Sequence, residues 1–337
     1  MITIEDVANF AGVSQSTVSR VLNKKEYVKE ATREKVLKAV EELGYKPSRL
    51  ARGLRINSSQ ILGLIISDIQ NPFFTSLVRA VEDVAYQNNY AIILCNTDED
   101  PEKEELLVEL MLSERVAGVI ITPTREYECP ILKLHEMKVP VVCVDRRVFD
   151  CETDTVISDN VESSFKLVKH LIEHGHEKIG ALFGSSKITS FRERLEGYRK
   201  AFISSGLQVR NDFVKQSTPK EGEGYSLANE LLDLPQPPTA IFAGNNLMAL
   251  GAIHAIKDRG LSIPSDISLV SFDDQEWTQL MTPKITVATQ PKYEMGKKAA
   301  ELLMRRIEDY QCSVKHITLK SKLLFRESVK SIVSENL

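Results

Sequence analysis

The chain has 337 residues, 42% of them hydrophobic and 27% charged, a length that suits two or three domains and the balance of a water-soluble globular protein. No apolar run approaches the ~18 residues that span a bilayer. The opening MITIEDVANF has acids where a secretion signal has bases, so a cytoplasmic protein with no membrane partner is expected. Charge is uneven: residues 1–55 hold 11 Lys and Arg against 7 Asp and Glu, and the remainder holds 32 against 40. A basic start on an acidic body suggests that only the first segment meets a polyanion, although an excess of this size also arises by ordinary fluctuation. Cys95, Cys129, Cys143, Cys151 and Cys312 are scattered, with no C-x-x-C pair, as in a reducing compartment without a disulfide framework.

Residues 4–11 place Ile4, Val7, Ala8 and Ala11 on one helical face. Thr3 stands at the N-cap, and Asp6 three residues on makes a capping-box variant. Gly12 suits a turn that needs positive φ. Ser14 can cap a second helix over about 15–23, with Val18, Val21 and Leu22 on its apolar side. Ser16, Arg20 and Asn23 share another face, beside Gln15 and Ser19. A third helix over about 31–43 is expected to bury Val36, Leu37, Val40 and Leu43 and to end at Gly44. Two short helices around a tight turn, with a third in support, form a helix-turn-helix unit. Gln and Arg on its second helix can make bidentate contacts to adenine and guanine. A plain three-helix bundle with a solvated polar face fits the same pattern.

The run from Thr3 to Asn23, T-I-E-D-V-A-N-F-A-G-V-S-Q-S-T-V-S-R-V-L-N, resembles the N-terminal signature of the lac/gal repressor (LacI-type) family. The resemblance implies that Gln15, Ser16 and Arg20 face bases and that Thr17 and Ser19 touch phosphates, and it adds Thr3 and Asn23 to the DNA-contacting set. The segment from Tyr45 to Arg55 resembles the family's hinge helix, about 47–55, opened by Pro47. There Ala51 and Leu54 would meet the minor groove, with Leu54 as the wedge that bends the duplex. Without the resemblance, Arg49, Arg52 and Arg55 read as a basic linker.

From residue 59 onward short apolar runs, 61–67, 91–95, 117–121, 140–144, 179–183, 239–243 and 267–272, alternate with amphipathic stretches at 74–89, 102–114, 161–174, 192–205, 224–233 and 246–259. This is the signature of parallel sheets covered on both faces, and the number of units predicts two doubly wound α/β lobes with ligand beyond the carboxyl ends of the strands. The resemblance continues through Asn71-Pro-Phe-Phe74, Val144-Asp-Arg146, Arg194-Leu-Glu-Gly-Tyr198, Ser271-Phe-Asp-Asp274 and Thr289-Gln-Pro291. It implies a headpiece over 1–58 and a periplasmic-binding-protein-like body over 59–337, with an N-lobe of about 59–159 and 288–319 and a C-lobe of about 160–287 and 320–331.

The candidate ligand groups are Phe73, Phe74, Asp145, Arg146, Asp273 and Trp277 near strand ends. By resemblance, Asn160, Arg192, Arg194, Phe242, Asn245 and Asn246 join them. Phe73 and Phe74 also read as core, Arg194 as a surface cation, and Trp277 as a packing residue. Many sugar-responsive relatives carry Asp where Asn246 stands. That departure, with Arg146, Arg192 and Arg194 nearby, raises an acidic sugar beside a neutral one.

His170, His174 and His176 invite a metal reading, but His174-Gly-His176 fits a helix end that leads into a strand. The sequence has no third glycine after Gly222 and Gly224, no phosphate loop and no nucleophile elbow. No enzyme, cofactor or metal is therefore expected. The reading is a homodimeric transcriptional repressor of carbohydrate genes that binds double-stranded operator DNA and a sugar or sugar-acid effector. The alternatives are a ligand-binding module, such as a transporter's solute receptor, and a regulator with a non-sugar corepressor.

Overall fold

A computed structural model of the chain describes residues 2–22, 27–45, 59–127 and 129–332. Asn23, Ala51, Leu54 and the expected hinge helix lie outside the described residues. The chain divides into two compact units, Met1–Ser59 and Gln60–Leu337.

The first unit holds three helices, α1 (Ile4–Ala11), α2 (Gln15–Leu22) and α3 (Glu30–Glu42). Thr3 caps α1 reciprocally: its hydroxyl accepts from the Asp6 N–H, and the Asp6 carboxylate accepts from the Thr3 N–H at 2.7 Å. Gly12 ends α1 at φ 66°, a left-handed backbone that glycine adopts at little cost. Ser14 Oγ accepts from the Thr17 N–H and caps α2. Val7, Ala8, Val18, Val21, Val36 and Ala39 form the core. Leu37, expected inside, is 49% exposed. The buried stripe of α3 runs Val36, Ala39, Val40 and Leu43, the i, i+3, i+4, i+7 spacing of one helical face, which turns Leu37 outward.

The second unit contains two six-stranded sheets. One orders β11 (His316–Leu319), β5 (Asp154–Ser158), β4 (Val141–Val144), β3 (Gly118–Ile121), β1 (Ile61–Ile66) and β2 (Ala91–Asn96). The other orders β12 (Lys322–Leu324), β10 (Thr286–Thr289), β9 (Ser268–Phe272), β8 (Ala240–Ala243), β6 (Ile179–Phe183) and β7 (Val214–Gln216). The two orders are the same when strands are matched in sequence. Every pairing is parallel except β10 with β12. The chain passes between lobes after β5, after β10 and after β11.

Each sheet is covered on both faces, so its strands read as continuous apolar runs. In the first lobe, α4 (Pro72–Gln87) and α12 (Lys292–Glu308) pack on one face and α5 (Pro101–Ser113) and α6 (Ile131–Glu136) on the other. In the second, α7 (Asn160–Glu173) and α8 (Thr189–Ser204) cover one face, and α9 (Glu221–Leu232) and α10 (Asn246–Asp258) the other. One buried charge stabilises the first lobe: Asp154 on β5 accepts from Arg306 Nε at 2.5 Å, from Arg305 Nη2 at 3.2 Å and from the Lys315 N–H at 2.7 Å. All five cysteines are free.

The α7–α8 contact depends on Gly197. A Cβ there would stand 2.3 Å from the Val161 carbonyl oxygen and 2.7 Å from Ser164 Cβ. Gly197→Ala should therefore push the helices apart and cost ~1–3 kcal/mol. Gly222→Ala, on α9 with nothing within 4 Å of the added Cβ, should be neutral or stabilise by up to ~1 kcal/mol. The calorimetric Tm of Gly197→Ala should fall below wild type, and that of Gly222→Ala should equal or exceed it. A Gly197→Ala protein that melts at the wild-type temperature would contradict this packing.

Candidate functional site

The first site is the exposed face of α2. Gln15, Ser16 and Arg20 are exposed there, and Thr17 and Ser19 are half-buried at its flanks. Val18 and Val21 anchor the opposite side in the core. Ser14 Oγ lies 2.8 Å from Ser16 Oγ and 2.9 Å from Thr17 Oγ1, which orders the hydroxyls at the helix start. Arg20 forms no ion pair among the described residues. Thr3 is exposed, with its hydroxyl directed at Asp6. A short polar helix held rigidly from behind matches the geometry that enters a major groove.

The second site lies where the carboxyl ends of the two sheets converge. A small cavity with about 30 Å³ of room for water-sized molecules, partly open to solvent, is lined from the first lobe by Ser67 and Asp68 after β1, by Glu99 after β2, and by Asp145 and Arg146 after β4. Asn71, Phe73 and Phe74 reach it from the start of α4. The second lobe supplies Ser190, Phe191 and Arg194 from α8, Pro219 after β7, Asn245 after β8 and Asp273 after β9; Gln290 follows β10 where the chain crosses back.

Local geometry fixes these groups. Asn71 caps α4 by accepting from the Phe73 N–H at 3.0 Å, and Pro72 opens the helix. Phe73 and Phe74 stack edge to face with centroids 5.0 Å apart; they serve the core and the cavity together. Asp145 and Asp273 both leave their strands in the left-handed region, at φ 68° and 69°. Each N–H still bonds the neighbouring strand, Asp145 to the Val156 carbonyl and Asp273 to that of Ala288.

Arg146 is buried and bidentate on Glu99 at 2.5 and 2.7 Å, with further bonds to the Pro123 carbonyl and Ser67. Both of its terminal nitrogens are thus engaged within its own lobe, whereas its Nε has no hydrogen-bond partner among the described residues. Arg194 donates to Asn160 Oδ1 at 3.0 Å and to the Gly244 carbonyl at 2.7 Å, with its guanidinium 4.0 Å over the Phe272 ring. Its Nη2 has no hydrogen-bond partner among the described residues. Asp273 Oδ1 accepts from Gln290 Nε2 at 2.8 Å, and Oδ2 has none among those residues. The Asp145 carboxyl forms one ion pair among the described residues, with Arg146 Nε at 3.5 Å.

Burial is the main cause of the unusual protonation here. It raises the Asp145 carboxyl to about 6, against the pull of Arg146 and Arg194 and with a push from Asp273 and Glu99. Burial also raises Asp68 and lowers Arg194.

Several expected ligand groups stand elsewhere. Phe242 is fully buried in the centre of β8, with its ring 5.2 Å from Phe183 and 6.2 Å from Phe272. Trp277, on the short α11 (Glu276–Leu280), packs against the cluster under α9 and α10. Both are core residues because strand alternation and the turn after Asp273 direct them away from the cleft. Asn160 does not line the cavity; it bridges Glu193 and Arg194 and so orients the guanidinium. Arg192 lies outside, paired with Glu126 at 2.9 Å and 5.8 Å over Phe149.

Asn246, the first residue of α10, is buried with both side-chain polar atoms lacking a partner among the described residues, and it does not line the cavity. The argument from Asn246 against a neutral sugar therefore has no geometric basis. Asp68, Glu99, Ser190 and Phe191 were missed by the sequence reading; Asn71 and Gln290 stand within motifs that it quoted.

The histidines considered as metal ligands are otherwise engaged. His170 packs against His174 and Phe325 at 4.2 and 4.3 Å, and His176 lies between Thr239 Oγ1 and the Lys330 carbonyl. No group of His, Cys, Asp and Glu among the described residues is arranged to hold a metal. No described helix is long and apolar enough to cross a membrane.

Asp145 gives the fold a pH dependence. Its folded value of about 6 exceeds the ordinary 3.8, so the folded chain holds this proton more tightly than the unfolded chain. The resulting stabilisation is complete below about pH 4 and is lost as pH rises through 6. Asp145→Asn removes this titration. The wild type should therefore lose ~2 kcal/mol relative to the Asn variant between pH 4 and pH 7, at ~1.4 kcal/mol per pKa unit. Urea denaturation of both proteins at the two pH values checks the sign; a difference that does not change with pH would contradict it.

The geometry agrees with the relatives of this chain. Residues 3–48 match the family model of bacterial regulatory proteins, lacI family, and residues 59–327 match that of periplasmic binding proteins and the sugar binding domain of the LacI family. The HTH-type transcriptional repressor PurR of Actinobacillus pleuropneumoniae serotype 3 is 36% identical over 98% of this chain and 99% of its own length. The lac repressor dimer bound to operator and the anti-inducer ONPF superposes with a TM-score of 0.85 at 29% identity, covering 98% of this chain and 99% of that one. The transcriptional regulator CelR in complex with cellobiose gives 0.74 at 29% identity, covering 97% and 100%. A DNA-reading headpiece joined to a two-lobed binding domain, matched over almost its whole length, makes this chain a member of the LacI family of DNA-binding transcriptional repressors.

Proposed function

We propose that this repressor binds a small uncharged polyol, a sugar, in the cleft, and that occupancy weakens its hold on operator DNA. The observation that carries the reading is the set of uncommitted polar groups at the centre of the cavity. Asp145, Asp273 and Arg194 line one cavity together with Phe73, Phe74 and Phe191. Carboxylates and a guanidinium suit the hydroxyl edges of a sugar, and rings suit its weakly apolar faces. The lining carries four acids, Asp68, Glu99, Asp145 and Asp273, against Arg146 and Arg194. Glu99 occupies Arg146 and Glu126 occupies Arg192, so an acid group on the enclosed end of the ligand would find only Arg194, among carboxylates. This favours a neutral ring over a sugar acid. Cellobiose in the CelR complex is in keeping with it, whereas the curated relatives' name carries no carbohydrate, and the class of effector therefore rests on the pocket.

The exposed face of α2, with Gln15, Ser16 and Arg20 toward bases and Thr17 and Ser19 toward phosphates, supports sequence-specific operator binding. A single headpiece has too few such contacts for tight binding, so we read the chain as a homodimer on a near-palindromic site. Exposed Tyr86, Leu94, Leu106 and Leu110 on α4, the edge strand β2 and α5 give the first lobe an apolar surface consistent with that assembly.

Thermal shift of the whole chain against neutral sugars, sugar acids and nucleobases tests the effector class, since a ligand at 100 times its Kd stabilises the native state by ~2.7 kcal/mol. Neutral sugars should raise Tm; a response confined to nucleobases would reject the reading. Two variants then separate the sites. Arg20→Ala should lose ~1–3 kcal/mol of operator affinity and relax preference at one base pair per half-site, with sugar binding retained. Asp273→Ala should lose sugar binding and the operator response, with operator affinity retained. Equal loss of Arg20→Ala on operator and random DNA would remove Arg20 as a base reader, and an unaltered sugar affinity would remove Asp273 from the site.

A further inference from the structure

Two short ion pairs join the lobes, and they differ in what stands behind them. The pair of Arg192 with Glu126, at 2.9 Å, is a surface clasp: the Arg192 side chain is 40% exposed and lies 5.8 Å over the Phe149 ring. The pair of Arg147 with Glu193, at 2.8 Å, continues inward. Glu193, in the first turn of α8, is buried and uses both oxygens: Oε1 accepts from Arg147 Nη2, and Oε2 accepts from Asn160 Nδ2 at 3.0 Å. Asn160 Oδ1 in turn accepts from Arg194 Nε at 3.0 Å, and Arg194 lines the cavity. The Arg147 backbone is tied to the same helix, since Thr189 Oγ1 donates to its carbonyl at 3.0 Å and accepts from its N–H at 3.4 Å. Asn160 stands where the chain first crosses between the lobes. Its neighbour Asp159 donates its N–H to the Leu319 carbonyl at 3.0 Å and accepts from the Ser321 N–H at 2.8 Å, so two crossing segments meet there.

We propose that Glu193 and Asn160 are positioning residues of the effector response, which tie the orientation of Arg194 in the cavity to the Arg147 contact between the lobes. This rests on the reading of the cavity as the effector site, whatever the class of effector. A carboxylate only accepts, and a carboxamide has one accepting and one donating end. Glu193 therefore fixes the Asn160 amide with Nδ2 toward itself, which leaves Oδ1 for Arg194. When the lobes part, Arg147 leaves Glu193 and the same amide is freed to turn. The cavity has room of about 30 Å³, so a ligand larger than a few waters enters only as the lobes part. Its contact with Arg194 is then felt at the seam through Asn160 and Glu193.

Hydrogen exchange of the full chain, read by mass spectrometry, tests the relay without sugar or DNA. Peptides covering 145–149 and 188–193 report opening of the seam. A peptide covering strand β6, 179–183, reports general unfolding, and the seam rate is taken relative to it, so a less stable variant does not imitate the effect. Glu193→Gln should raise this ratio roughly tenfold, as loss of a charged hydrogen bond does. Asn160→Ala and Arg194→Lys leave Arg147 and Glu193 in place, yet each should raise it roughly threefold or more. The double variant Glu193→Gln/Asn160→Ala should exceed Glu193→Gln alone by little, because both changes break one chain of bonds. Arg192→Gln/Asn160→Ala should instead show the product of the single effects. Seam exchange at the wild-type ratio in both Asn160→Ala and Arg194→Lys would overturn the relay and reduce the Arg147–Glu193 pair to a second clasp. Effects that multiply in Glu193→Gln/Asn160→Ala would overturn it as well. Neither failure bears on the sugar reading, which the thermal shift decides.

Discussion

The cleft is governed by the need to balance charge in a space that excludes much of the solvent. Two parallel sheets that face each other with their carboxyl ends bring Asp68, Glu99, Asp145, Arg146, Arg194 and Asp273 around one small volume. An unpaired buried charge costs several kcal/mol, so such groups persist only when partnered or neutralised. The charge of Arg146 is balanced by Glu99, with a further bond to backbone within its own lobe. Asp145 relieves the remaining excess of negative charge by holding its proton to about pH 6. Arg194 is oriented by its bonds to Asn160 and the Gly244 carbonyl, within the field of Asp273 and Asp145. What remains uncommitted after this balancing is the set of groups that a ligand can use.

The matched strand orders of the lobes make the site a comparison of two equivalent positions. Asp145 and Asp273 follow corresponding strands, share the left-handed backbone and bond corresponding neighbours. The next residues differ. Arg146 turns into the cavity, whereas Asp274 pairs with Arg326 at 2.9 Å. The cleft is therefore chemically lopsided although the folds around it match. Direct ties cross it as well: Arg147 to Glu193 at 2.8 Å, Arg192 to Glu126 at 2.9 Å, and Thr189 Oγ1 to the Arg147 carbonyl at 3.0 Å. These set how far the lobes must separate to admit a ligand, and so connect effector size with lobe movement.

Much of this was legible in the sequence because the decisive signals are local. The Thr3–Asp6 box, Gly12, the apolar face of α2 and the continuous apolar strands each follow from residue type and spacing. The exposed Leu37 shows the limit of the helical pattern, since Val36 and Leu37 compete for one buried stripe. Strands β5, β7, β10, β11 and β12 escaped notice, most of them for physical reasons. Asp154 in β5 is buried only because Arg305 and Arg306 meet it, and β7 and β12 are three residues long. In the site, Asp145, Arg146, Arg194 and Asp273 could be read from motifs at strand ends. Glu99 could not, since its place depends on a loop that runs through positive φ at Asp98 and Glu99. Phe242 and Trp277 were misplaced because an aromatic near a strand end serves a core as readily as a ligand.

The central claim is that cleft and operator share one conformational equilibrium. Thermodynamic linkage requires that effector and DNA change one another's affinity by the same factor, with a coupling of ~1–3 kcal/mol typical of such systems. The decisive measurement is the closed cycle in one buffer: operator affinity by fluorescence anisotropy with and without saturating effector, and effector affinity by titration calorimetry with and without operator. The account predicts that effector weakens operator binding and that operator weakens effector binding by an equal factor of roughly 5–150. An effector that fills the cleft stoichiometrically while operator affinity stays the same would contradict it.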